Sequence, residues 1–285
     1  EAVTFTLRRT SGEALMLTEE HEALSRPRKG ADPEWASFDR GAHEPRALAA
    51  ALELWRHRAF TEFHSLTLFT QLASQVQLLG APLDWSGAFA RMIADESRHA
   101  DLCLRMVGAL GGSPTLQLDE AGLHQAVTGP LRAHVRRTVI AAFCIGETLS
   151  GRMFKRCLAG VTVPLARDVV TAVLVDETFH AELGWELGAL LMRPDEHFEA
   201  ERATLAAALP SLFSDFAAQC LATRSPAFVR AAPEFDPGEN FGGLSTEGYA
   251  RAFFDGMELD VVPGLEAIGL PEARPAWDAF LSKLG

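Results

Sequence analysis

No two of the four cysteines, Cys103, Cys144, Cys157 and Cys220, form a Cys-x-x-Cys pair. Zinc ribbons, rubredoxin-type iron sites and thioredoxin-like redox pairs are thereby excluded. Four cysteines in 285 residues make no disulfide scaffold, which fits a reducing compartment. No uninterrupted apolar run reaches the roughly 18 residues of a membrane span, so none is expected. The stretch EAVTFTLRRTSGEA (1–14) has no signal-peptide core, and a cytoplasmic location is expected. Excess positive charge is missing as well: the formal net charge is −12 and the pI about 5.2. Such a surface repels phosphate backbones, so nucleic-acid binding is not expected. The most basic stretch, LRAHVRRT (131–138), reads as a solvated turn at a helix start. Tyrosine is nearly absent, with Tyr249 alone.

What the chain does have is 48% apolar residues, enough to fill the core of one large domain with extensions. Residues 1–44 read as an N-terminal arm, with AVTFTLRR alternating as a short strand would. SRPRKGADPEW is a loop rich in Pro, Gly and charge. Four long helices are expected across 45–192. The first, 45–80, opens on Pro45 and closes on Gly80. The second, 81–112, has Asp84 as its expected N-cap and stops at a Gly-Gly pair. A polar connection, 113–129, is long enough to be a crossover. The third helix is expected at 130–160 and the fourth at 161–192. A further helix follows at about 196–222, then a Pro/Gly loop and an amphipathic helix broken near Pro263. The last segment, 193–285, reads as a helical extension packed on the bundle.

Acids and histidines lie on apolar stripes of these helices. Steps of three and four residues mark one helix face. Glu62 sits among Trp55, Ala59, Leu66, Phe69, Ala73 and Val76. Glu96 and His99 sit among Phe89, Met92, Cys103 and Met106. Glu147 sits among Ile140, Phe143, Cys144, Gly151 and Phe154. Glu177 and His180 sit among Val170, Val173, Ala181 and Gly184. The runs DESRHADLC (95–103) and DETFHAELG (176–184) repeat one Asp-Glu-x-x-His pattern 81 residues apart. Buried unpaired, each of these groups would cost several kcal/mol. Four close carboxylates need compensating charge, and two divalent cations supply it. Glu and His three residues apart share a face and can reach one metal or two adjacent ones.

One Glu from each of two helices, with Glu-x-x-His from each of two others, resembles the ferritin-like di-iron carboxylate superfamily. That superfamily includes bacterioferritin, the ribonucleotide reductase small subunit, acyl-carrier-protein desaturases and the bacterial multicomponent monooxygenases. The separations of 34, 51 and 30 residues between Glu62, Glu96, Glu147 and Glu177 suit it. DESRH is also similar to the Asp-Glu-x-Arg-His form of the multicomponent monooxygenases. The resemblance covers residues 45–192. It implies an all-α, ferritin-like four-helix bundle with a long crossover between helices 2 and 3. It implies Glu62, Glu96, His99, Glu147, Glu177 and His180 as ligands of two iron ions, with Mn/Fe or two Mn as alternatives. Ligand histidines usually donate their second ring N–H to a carboxylate. Asp176 is therefore assigned to His99, and Asp95 to His180. Phe69, Phe89, Met92, Phe143, Cys144, Phe154 and Val173 are the candidate pocket wall. His57, His124 and His134 have no partner pattern, and His64 lies off the Glu62 stripe. Glu182 and Asp101 read as solvent-side charges.

The function implied is an O2-dependent di-iron monooxygenase or oxidase acting on a small organic substrate, through the metals. With no fused rubredoxin, electrons come from an external donor or peroxide, and a homodimer is expected. The single tyrosine weighs against a tyrosyl-radical generator. The superfamily also includes the p-aminobenzoate N-oxygenase group, which has an added His one turn before the fourth-helix Glu; Val173 stands at that position, which weighs against N-oxygenation. A bacterioferritin-like ferroxidase and a dimanganese catalase are the alternatives. A tRNA hydroxylase is disfavoured by the acidic balance.

Overall fold

The computed structural model describes residues 32–116, 123, 125–194 and 198–284, with two short strands before them. Strands β1 (Thr6–Arg8) and β2 (Ala14–Met16) pair antiparallel, with Leu7 opposite Leu15. The rest of the expected arm before Asp32 lies outside the described residues, as do 117–122 and His124 of the expected crossover. Nearly everything else is helix, as the periodicity leads one to expect. Among the described residues, no helix is long and apolar enough to cross a membrane.

Helix α1 spans Pro45–Leu78, and Gly80, at φ 93°, turns the chain out of it. Helix α2 spans Leu83–Ala109. Its N-cap is Pro82 rather than Asp84. The extended ψ of Pro82 starts the helix at Leu83, so Asp84 falls in the first turn, where its charge suits the helix dipole. The two helices run antiparallel. Gln77 donates to Ser86 near the turn, His99 meets Glu62 further along, and Leu52 packs where a Gly112 side chain would be.

The expected third helix is continuous but not uniformly α. It runs as α3 (Leu131–Val139), a π-helical segment (Ile140–Glu147) and α4 (Thr148–Gly160). Backbone conformation stays right-handed helical at Val139 and Thr148, so the axis is not broken. Arg136 corrects the reading of 131–138 as a solvated turn. It is buried, donates Nε to the Leu191 carbonyl at 2.7 Å and pairs with Glu201. Its guanidinium also lies over the Phe198 ring. Arg132 and Arg137 are the exposed charges of that stretch.

Helix α5 spans Pro164–Leu191, with Pro164 at its start. Its many β-branched residues do not divert it to strand, because Val169, Val170 and Val173 are fully buried on one helical face. Helices α6 (Phe198–Gln219), α7 (Pro226–Ala231) and α8 (Thr246–Gly256) follow. Beyond α8 comes a second π-helical segment, Met257–Val261, then α9 (Val262–Ala267) and α10 (Ala273–Ser282). The break expected near Pro263 is absent. Proline removes an N–H and crowds the preceding turn; the wider π turn just before it accommodates both.

The chain divides into two compact units. One contains Leu52–Val135 and the strands; the other contains Pro33–Ala51 and Arg136–Gly285. In the first, Trp55, Phe69 and Leu72 of α1 are fully buried, as are Met92, Cys103 and Met106 of α2. In the second, α4 to α10 enclose an apolar core centred on Phe213, Phe253, Met257, Leu265 and Trp277.

Candidate metal sites

Each unit buries one cluster of two carboxylates and one imidazole. In the first unit the cluster is Glu62 of α1 with Glu96 and His99 of α2. The α1 stripe turns Glu62 inward beside buried Trp55, Ala59, Phe69 and Val76. Leu66 and Ala73, expected on that stripe, are only partly buried, and Leu72 takes the deeper place. On α2 the stripe is buried throughout, from Phe89 to Met106. Glu62, Glu96 and His99 are 6%, 1% and 0% exposed. His99 Nδ1 lies 3.4 Å from Glu62 Oε2 and 3.9 Å from Glu96 Oε1.

The second unit repeats the arrangement with Glu147, the last residue of the first π-helical segment, and Glu177 and His180 of α5. These are 7%, 2% and 0% exposed. His180 Nδ1 lies 3.5 Å from Glu147 Oε2. Glu177 and His180 share a face because they are three residues apart on a regular α-helix.

The geometry of each trio fits one metal ion. Each residue offers one ligand atom, and within each trio these atoms lie within 4.8 Å of one another. Two ligand atoms each about 2.1 Å from a metal, at coordination angles of about 90–110°, are roughly 3.0–3.4 Å apart. The His–Glu separations of 3.4 and 3.5 Å are at the edge of that range. The donor chemistry fits as well. Carboxylate and imidazole ligands suit iron, manganese and zinc. Two buried carboxylates carry the charge that one divalent cation cancels, which removes the cost of burying them.

The predicted neighbours are all buried. Asp95 and Asp176, each just before a cluster Glu, are 5% and 1% exposed. Asp95 pairs within its own helix with Arg91, at 3.5 Å. Phe69, Phe89 and Met92 are core residues of the first unit. Phe143, Cys144, Phe154 and Val173 are core residues of the second. Burial pushes the Cys144 thiol far up, so it stays protonated. His64 is partly buried against Phe60, and His57 is exposed. Glu182 and Asp101 face solvent.

Sequence reasoning missed two buried arginines beside the first cluster. Arg91 lies one turn before Asp95, a spacing that favours an ion pair and is readable in advance. Arg58 lies one turn before Glu62 and is 7% exposed, with its guanidinium 4.7 Å from the centre of the Trp55 ring. Comparison with protein-family models, curated proteins and solved structures finds no match to this chain.

Proposed function

We propose that this chain is an oxygen-dependent oxidoreductase with a dinuclear metal centre, most simply two iron ions, in a ferritin-like four-helix bundle. Glu62, Glu96 and His99 hold one ion; Glu147, Glu177 and His180 hold the other. One observation carries the reading: two buried trios of the same composition, each with its donor atoms within 4.8 Å. A single acidic cluster has many explanations; a matched pair, each neutralised by one divalent ion, has few. The internal plan of the sequence, a lone Glu followed by Glu-x-x-His in each half, supports their joint use.

Iron held by such ligands supplies electrons to O2 and so generates an oxidant for a nearby organic group. The chain's own contribution is positional. The four carboxylates fix the charge of the site, and the two imidazoles fill positions set by a rigid helix spacing. In this reading Asp95 and Asp176 orient the ligand histidines through the second ring nitrogen. Apolar side chains such as Phe89, Met92, Phe143 and Val173 exclude water. A small organic substrate and an external electron donor complete the reaction.

The test is metal content per chain after growth with iron, then reduction and exposure to O2. Two irons and O2 uptake by the reduced protein support the proposal. Glu96→Ala and Glu177→Ala are each expected to lose two-metal loading. Two manganese ions with oxygen release from peroxide would replace it with catalase chemistry. Absence of metal from the folded chain would overturn the ligand assignment.

A further inference from the structure

The helix that carries Glu177 and His180 also carries two glycines, and both face the π-helical segment. A Cβ added to Gly184 would lie 2.6 Å from Phe143 Cβ, 3.2 Å from its carbonyl carbon and 3.3 Å from its Cα. Two of these three atoms are backbone, which cannot swing aside. A Cβ added to Gly188 would lie 2.8 Å from Cys144 Sγ. The Cys144 thiol in turn reaches the Gly184 carbonyl, at 3.5 Å. Here α5 and the π segment approach more closely than any residue with a side chain allows.

This contact and the metal cluster are adjacent rungs of one antiparallel ladder. Glu147 follows Phe143 by four residues, and His180 precedes Gly184 by four. The pair Phe143–Gly184 is thus one turn from the pair Glu147–His180 along both helices. Whatever sets the separation at the first rung sets it at the second. Further along α5, Trp185 donates Nε1 to Thr148 Oγ1 at 3.0 Å, which pins the rotation of the two helices about each other.

We infer that Gly184 is a positioning residue for the metal site of the second unit, its bare backbone admitting Phe143 so that Glu147 comes within coordination reach of His180. The inference rests on the metal-binding reading above. Alanine at 184 forces the π segment away from α5 and carries Glu147 with it. The ligands Glu177 and His180 stay in place on their own helix. The predicted defect is therefore in one metal site, not in both and not in the fold at large.

The experiment is stepwise titration of the full-length metal-free protein with cobalt(II), followed by its visible absorption. Wild type is expected to take two equivalents. Gly184→Ala is expected to keep one at wild-type affinity and weaken the other by about 10- to 100-fold, the scale seen when ligand support is lost. Gly151→Ala, where a Cβ meets nothing within 4 Å, is expected to bind as wild type. In a Glu62→Ala background Gly184→Ala should weaken the remaining equivalent; in a Glu147→Ala background it should add nothing. If Gly184→Ala does not fold, Gly188→Ala is read in its place, with a smaller loss of the same equivalent. Equal weakening of both equivalents, or of neither, overturns the positioning role and leaves the metal reading standing. Wild type that binds no cobalt overturns both.

Discussion

His43 and Glu239, 196 residues apart in the chain, meet at 2.8 Å through Nδ1 and Oε1. The other Glu239 oxygen accepts the Glu44 backbone N–H at 3.1 Å. The His43 ring stacks on Phe38, with centroids 5.1 Å apart. This clasp ties the segment that leads into α1 to the loop before α8. That loop continues through Asn240, whose carbonyl accepts the Thr162 N–H just before α5.

The clasp has a pH signature. The hydrogen bond from His43, and then that from the Glu44 N–H, hold the Glu239 carboxyl below the usual carboxylate range. A carboxyl with a lowered folded pKa adds stability in full above its unfolded pKa, and that contribution is lost as pH falls through the folded value. Urea midpoints of wild type and Glu239→Gln should therefore differ at neutral pH and converge in acid. A difference that persists unchanged to low pH would show that the charge of Glu239 plays no part.

Trp277 is the centre of the second unit's aromatic core. Its ring stacks on Phe280 at 5.2 Å and meets Phe213 edge-on at 6.1 Å. Its Nε1 donates to Glu258 Oε2 at 2.7 Å, and Arg274 holds the same carboxylate at 2.8 Å through Oε1. Trp277→Ala is expected to cost about 3–5 kcal/mol, from lost burial and the cavity left behind. Trp277→Phe keeps most of the ring contacts and loses one hydrogen bond to a charged acceptor, worth roughly 1.5–3 kcal/mol. Equilibrium urea unfolding separates the two. Equal losses would place the whole effect in the hydrogen bond.

Removing metal should destabilise the chain. A ligand that binds only the folded state adds about 2.7 kcal/mol at a hundredfold excess over its Kd. A chelator is expected to lower the melting temperature of the metal-loaded protein. The same chelator should leave the melting temperature of the Glu62→Ala, Glu147→Ala double variant unchanged. An equal drop in both would place the metal elsewhere than in the two trios.

Much of this was legible in the sequence because helix faces repeat. The burial of Glu62, Glu96, His99, Glu147, Glu177 and His180 follows from three- and four-residue steps through apolar stripes. Helix ends at Gly80 and Gly111 followed from their freedom to adopt positive φ. The π-helical turns were not legible. They depend on what packs beside the helix, such as the approach of Phe143 to Gly184, and not on local propensity. Arg136 was misread for a similar reason. A basic run looks solvated until a carbonyl, Leu191, and a carboxylate, Glu201, arrive from 55 and 65 positions away.

A π-helical turn is an α-helix with one residue too many. The segment Ile140–Glu147 therefore places Thr148 and all of α4 about 100° out of phase with the face that α3 presents. A helical wheel drawn from α3 points to the wrong side of α4. The surplus residue is a unit of sequence that can be gained or lost in one step. Deleting one residue within the segment would restore a plain α-helix of the same direction. It would also swing Glu147 away from His180, so a single codon separates a chain that brings these two side chains together from one that does not.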